Sequence, residues 1–478
     1  MAATTQDVRS RGLFLAGEWV ETGEWDDVIS PYSGESVGRV AVGGAEHARA
    51  AVDAAEHAMQ ASLPQHERAT ILTRISDALA ARQEEAARII SDEAGKPIKA
   101  ARVEANRAVQ TYLAAADAAR ALTGETVPME AAPGGVGRLA FTIRVPIGVV
   151  GAISPFNFPL NLVAHKLAPA FAAGCAVVLK PAPATPLAAL FLAEVSAEAG
   201  LPPGWLSVIC GPAAEIGDVL IDDERVKALS FTGSGPVGWM LRERAPRKRV
   251  ALELGNSTPL IVAPDADVER AATVAAAAAF GYSGQTCISL QRIYVQRAVY
   301  DDFVARFVPK VEQLVVGDPA DDATDVGPLI NEQARTRLLE WISASGGEVL
   351  TGGDVTDQGL LRPTVVASPS PEADLSCREA FGPVCAVQPY DSEDEAFALA
   401  NSTPYGLQAG IFTRDIALGL RAARTLDFAG VTINESPSYR VDHMPYGGVN
   451  ESGNTREGPR YAAREFTEER LVIIELGD

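Results

Sequence analysis

The stretch VKALSFTGSGPVG, residues 226–238, reads as an apolar strand that breaks at a glycine-rich turn and passes into a helix. Gly233, Gly235 and Gly238 make a literal GxGxxG, spaced so that backbone can approach a pyrophosphate whose charge the helix N-terminus favours. The same unit recurs around it. IGVVGAISP, CAVVLKP, LSVICG, RVALELG and PLIVAP are short apolar runs suited to buried parallel strands, most of them separated by helical segments such as LAALFLAEVSAEAG. This alternation predicts an α/β fold on a doubly wound parallel sheet, with ligands at the carboxyl ends of the strands. A second alternating set, from about 262 to 434, predicts another α/β domain.

Outside this region the signals are plainer. Residues 13 to 42 carry short apolar runs broken by Gly, Asp, Pro and Ser, as in hairpins or edge strands. From Ala45 to Leu122 an Ala-, Glu- and Arg-rich stretch predicts several helices, broken near Pro64 and at GKP, residues 95–97. A Gly/Pro-rich break follows at 132–137, and the apolar end LVIIELGD should pair with another element or subunit.

Length and composition bound the function. A chain of 478 residues, 47% hydrophobic and 22% charged, is globular and long enough for two or three domains. A net charge of −21 argues against a nucleic-acid partner, which requires a clustered positive face. Five cysteines with no CxxC pair read as reduced thiols. The N-terminus lacks an apolar stretch of signal-peptide length, and no uncharged apolar run is long enough to span a bilayer, so a soluble cytoplasmic protein is expected. The five histidines never combine with Cys or Asp at ligand spacing, so no metal is expected.

Three residues invite chemistry. Cys287, in GYSGQTCISLQR at 281–292, is a nucleophile or a small core thiol. Glu253, in LELG, is a ribose acid, a general base or a paired strand residue, since an acid between two leucines is costly otherwise. Asn157, in SPFNFP at the carboxyl end of the first strand of the alternation, either aims an amide at an oxyanion or caps a turn. Gathered in one cleft, they serve one mechanism. A thiolate adds to a carbonyl, the amide holds the oxyanion, a hydride leaves for a nicotinamide, and the carboxylate activates water to cleave the thioester.

SPFNFP, LKP, FTGS, LELG, GQTC, EAFGPV and PYGGVNESG, in this order, resemble the signature series of the NAD(P)-dependent aldehyde dehydrogenase superfamily. The 34-residue interval from Glu253 to Cys287 is the family's usual spacing of base and nucleophile, and the motifs run from about Glu104 to Arg460. The resemblance implies Cys287 as nucleophile, Asn157 with the Cys287 backbone N–H as oxyanion hole, Glu253 as base for deacylation and Lys166 as supporting lysine. It implies that Lys180 binds the adenosine ribose and that Gly217, Phe231, Gly233 and Ser234 line the adenine and pyrophosphate site. Glu379 and Phe381 would grip and pack the nicotinamide ribose. Ile153, Ser154, Pro155, Phe156, Val237, Leu254 and Gly255 complete the expected cofactor set. The sequence departs from the family's pattern at Phe156, a frequent tryptophan, at Asn256, a usual glycine, and at Pro183. Many NAD-preferring members carry at Pro183 a glutamate that repels a 2′-phosphate, so NAD and NADP both stay open as cofactor.

GQTCISLQR, YRVDHMPYGGV and GNTREGPRYA resemble the branch that includes lactaldehyde, non-phosphorylating glyceraldehyde-3-phosphate and phosphonoacetaldehyde dehydrogenases. Relatives acting on phosphorylated aldehydes tend to keep three arginines near the anion. Arg107 and Arg440 match two of them, and Thr286 stands at the third. Either the two guanidiniums hold a small polar or anionic aldehyde, or Arg107 pairs with an acid such as Glu104 and Arg440 with Asp442. Phe158, His165 and Tyr446 are the other expected substrate neighbours, His165 alternatively being structural. Competing readings are a coenzyme A-acylating semialdehyde dehydrogenase, against which Glu253 counts, and a catalytically silent relative. Family architecture implies a Rossmann-type cofactor domain at 1–122 and 146–255, a catalytic domain at 256–451, and an oligomerisation arm at 123–145 and 452–478. A homodimer or homotetramer is expected.

Overall fold

The computed structural model describes residues 9–477, so Asp478 and the first eight residues, on which the leader reading largely falls, lie outside it. The first sheet has seven strands in the order Arg249–Glu253, Val226–Thr232, Val149–Ile153, Val177–Lys180, Leu206–Val208, Leu13–Leu15 and Glu18–Val20. Its first five strands are parallel, and the hairpin at Leu13–Val20 closes one edge antiparallel. The interior strands are buried on nearly every residue, which is why they read as continuous aliphatic runs. From Val149–Ile153 the chain builds outward in one direction, then crosses back to lay Val226–Thr232 on the other side. That reversal opens a crevice at the carboxyl ends of these two strands, between Ile153 and Thr232.

A second seven-stranded sheet runs Glu348–Thr351, Thr364–Ala367, Val384–Tyr390, Leu290–Gln296, Thr258–Val262, Gln408–Phe412 and Gly430–Ile433, parallel except at its first pair. PLIVAP therefore belongs to this sheet and not to the first. The terminal strand Thr467–Glu475 pairs antiparallel along Arg138–Pro146, with Leu471, Ile473 and Ile474 still exposed. The preceding helix, Pro459–Glu465, adds Ala462 and Ala463 to the first sheet's core.

The helical stretch divides at Pro64, at Arg82 and at Gly95–Pro97, the break at Arg82 being additional to those the sequence marks. Helix Ile98–Ala121 buries Ala101, Ala105, Ala108 and Ala115 on one side, the small side chains letting helices Gln65–Ala81 and Asn161–Ala173 lie close. Helix Asn161–Ala173 is buried on every residue.

Lys96, in the GKP break, is itself a structural element. Its side chain is 1% exposed and pairs with the fully buried Glu104, and its ammonium lies 3.7 Å from the Phe158 ring centre and 4.1 Å from that of Tyr282. Glu104 also accepts from the N–H groups of Leu160 and Asn161, capping the helix that carries His165 and Lys166. Lys96→Met leaves a buried carboxylate unpaired and should destabilise the protein by about 3–5 kcal/mol. Urea unfolding reads this as a lower midpoint, and an unchanged midpoint contradicts it.

Candidate active site

The crevice at the reversal of the first sheet opens into a cleft of about 650 Å³. Ile153, Ser154, Pro155, Phe156 and Asn157 line it from the first strand's carboxyl end, and Phe231, Gly233, Ser234 and Val237 from the GxGxxG turn and its helix. Lys180, Pro183, Gly217, Glu379 and Phe381 also line it. The Phe156 and Phe381 rings meet edge to face, their centres 5.8 Å apart. Of the residues expected on this cofactor wall, Leu254 and Gly255 lie behind it. Leu254 is buried, and Gly255 is the point where the Glu379 carboxylate comes so close that any Cβ would collide with it.

Asn157, on the cleft wall, connects it to the loop that carries Cys287. The turn Gly281–Gly284 holds Tyr282 and Ser283 in the left-handed region, with φ of 50° and 54°. That strain is over-determined by neighbours: Ser283 Oγ donates to Gly327 O, and the Gln285 side chain spans Pro328 O and Ile330 N–H. Asn157 Nδ2 donates to Gln285 O at 2.9 Å, tying the SPFNFP loop to the cysteine loop. The Cys287 backbone N–H makes no backbone hydrogen bond among the described residues. Burial pushes the Cys287 thiol up to about 12.

Glu253 ends its strand buried, and neither carboxylate oxygen has a hydrogen-bond partner. Gly447 permits this approach, since a Cβ there would lie 2.6 Å from Glu253 Oε1. Desolvation, reinforced by Glu457, raises the Glu253 carboxyl well above its usual range. Lys166 donates to Thr232 Oγ1 (2.6 Å) and Ser230 Oγ (3.3 Å), and burial brings its ammonium down to about 8.

The two arginines are already paired, with partners other than those the sequence suggests. Arg107 makes a two-point contact with Asp442 (Nη2–Oδ1 2.8 Å, Nε–Oδ2 3.1 Å), not with Glu104. Arg440 donates to Glu457 Oε2 at 2.8 Å, not to Asp442. This corrects the picture of two guanidinium forks both open to an anion. Arg440 Nε is buried without a hydrogen-bond partner, and the guanidinium lies within electrostatic reach of Cys287. His165, fully buried, approaches Asp442 Oδ1 at 2.9 Å through Nε2 and Arg440 Nη2 at 3.1 Å. A carboxylate only accepts and a guanidinium only donates, so Nε2 serves Asp442 or Arg440 according to its tautomer, and burial lowers the imidazole's pKa. His165 is thus a member of the buried network around Asp442.

The aldehyde dehydrogenase family model matches residues 19–472. The chain belongs to the aldehyde dehydrogenase family. It is 44% identical over its full length, and that of the relative, to a 3-sulfolactaldehyde dehydrogenase of Priestia aryabhattai. It is 40% identical to a lactaldehyde dehydrogenase of Methanocaldococcus jannaschii, over 97% of this chain and 100% of that one. The crystal structure of glyceraldehyde-3-phosphate dehydrogenase GapN from the same archaeon, complexed with NADP, superposes with a TM-score of 0.90 at 39% identity, covering 95% of this chain and 99% of that one.

This aldehyde dehydrogenase is NAD(P)-dependent, and the cleft suits a dinucleotide. Lys180 is buried with a single acceptor, Pro181 O. The Glu379 carboxylate has one hydrogen bond, from Asn256 N–H, and burial lifts it to about 7. Both are buried polar groups short of partners on a largely apolar wall. Among the described residues of the dehydrogenase no cluster of His, Cys, Asp or Glu could hold a metal ion, and no helix is long and apolar enough to cross a membrane.

Sequence reading did not find three neighbours of the site: Glu457, Asp442 as the hub of four donors, and Lys96. GNTREGPRYA and YRVDHMP contain the first two, but nothing local reveals that Asp442 gathers Arg107, Asn161 and His165. Thr286 and Phe158 flank Cys287 and Asn157 in the chain, Phe158 meeting Tyr282 edge to face at 5.9 Å.

Proposed function

We propose that this dehydrogenase oxidises a small polar or anionic aldehyde through a covalent adduct on Cys287. The observation that carries the reading is Glu253: a buried carboxylate without a single hydrogen bond, within electrostatic reach of Cys287. Such a group is expensive to keep and serves as a base for water once the cleft is filled.

Cys287 forms the S–C bond to the aldehyde carbon. The free amide hydrogen of Asn157 and the Cys287 backbone N–H face the oxygen as its charge develops. Hydride acceptance is the chemistry that a bound nicotinamide supplies. Lys180 would hold the adenosine ribose, Gly233 and Ser234 the pyrophosphate at the helix N-terminus, and Glu379 with Phe381 the nicotinamide ribose. Glu253 takes a proton from water, which attacks the thioester and frees the carboxylate and the thiolate. Lys166, on Thr232 and Ser230, positions the strand end behind Glu253.

Substrate class follows from Arg440, whose Nε is a buried donor with nothing to bond, and from relatives named for lactaldehyde and 3-sulfolactaldehyde. Arg440→Gln should raise KM for acidic aldehydes by about tenfold more than for neutral ones of equal size, the loss of one charged hydrogen bond. Equal KM changes for both sets would remove anion selection. The function itself is tested by following reduced nicotinamide with NAD or NADP and a panel of small aldehydes, and identifying the acid. A coenzyme A thioester as product would turn the reading to the acylating class. The exposed strand Thr467–Glu475 fits an arm that joins subunits into a dimer or tetramer of a soluble cytoplasmic enzyme.

A further inference from the structure

Tyr446 Oη lies 2.9 Å from Cys287 Sγ, the one side-chain hydrogen bond to that sulfur among the described residues. Tyr446 is 3% exposed, and the Arg440 guanidinium carbon sits 3.7 Å from its ring centre. A two-residue backbone bridge, Tyr446 with Glu457, fixes both the ring and the carboxylate that holds Arg440. Tyrosine, arginine and glutamate are therefore one assembly aimed at one sulfur atom.

We propose that Tyr446, backed by Arg440, is a catalytic residue that donates a hydrogen bond to the ionised sulfur of Cys287 and holds it for attack. The inference rests on Cys287 being the nucleophile. A neutral thiol and a phenol can each donate, but an ionised sulfur only accepts, so the phenol must then be the donor. The thiol proton passes to solvent water, the phenol keeps its own, and the sulfur electron pair forms the S–C bond. Around Cys287, Tyr446 and Arg440 favour the thiolate, whereas Glu253 and Glu379 oppose it. Around Tyr446 stand Cys287, Arg440 and Glu253, and behind them Glu457, Lys166 and His165. Burial raises the phenol well above its usual value, so it remains protonated and is a donor and not a base. A cation over the ring strengthens that donation.

The test is the pH dependence of iodoacetamide alkylation at Cys287, located by peptide mass, in the wild type and in Tyr446→Phe, with kcat and KM measured on the same preparations. The expected result is an alkylation midpoint displaced upward by about one pH unit, with kcat lowered about tenfold and KM little changed. Superimposable alkylation profiles would overturn the proposal and leave Tyr446 as a packing residue. Tyr446→Leu enters the same assay if the phenylalanine variant does not fold. Full turnover after complete alkylation of wild-type Cys287 would instead overturn the nucleophile reading itself, a separate failure.

Discussion

Cys287→Ala should lose aldehyde oxidation by about 10⁴-fold or more while binding the cofactor as tightly as the wild type. The split is expected because Cys287 stands apart from the residues that line the cofactor cleft, so its removal deletes the bond-forming atom and leaves the binding wall intact. No other cysteine can substitute. Cys175, Cys210 and Cys385 are buried in strand and helix packing, and Cys377 is exposed on the short helix Asp374–Cys377. Reduced-nicotinamide absorbance and a cofactor-fluorescence titration check the two halves separately. Residual turnover within about tenfold of the wild type would exclude covalent catalysis at this position.

Glu253→Gln should separate the two halves of the reaction. The substitution keeps the shape of a side chain that makes no hydrogen bond, so adduct formation and oxidation proceed once. Hydrolysis then stalls. Rapid mixing should show one reduced nicotinamide per active subunit, followed by a steady state slower than wild type by about 10²–10⁴-fold, the usual yield of a positioned base. The pH dependence has a definite sign. Because burial raises the Glu253 carboxyl, its base form fills only as pH rises, so wild-type turnover should climb with pH through that raised value. The Glu253→Gln steady state should lack that limb. A variant with neither burst nor slow phase would place Glu253 in adduct formation instead.

Much of this was legible from the chain because the informative signals are local. Continuous aliphatic runs identify parallel strands, and the glycine turn after Thr232 marks the crevice. Such runs carry no label of which sheet they enter, which is why PLIVAP lies in the second one. Cys287, Glu253 and Asn157 each stand at the end of a recognisable strand or in a turn, so their approach to one cleft follows from the fold. Charge partners are another matter. Arg107 and Asp442 are separated by 335 residues, and Lys96, sitting in a Gly-Lys-Pro break, looks like punctuation and not like a buried cation. Arg440 has both Asp442 and Glu457 nearby in the chain, and only the bridge from Tyr446 to Glu457 decides between them. Pairing of long side chains is set by tertiary geometry that leaves no periodic trace.

The most direct measurement is the mass of the Cys287 peptide after Glu253→Gln enzyme meets cofactor and an aldehyde it oxidises, quenched in acid. The expected result is an acyl increment on Cys287, two hydrogens lighter than the simple aldehyde adduct and absent when cofactor is withheld. An unmodified Cys287 peptide alongside one equivalent of reduced nicotinamide would contradict it.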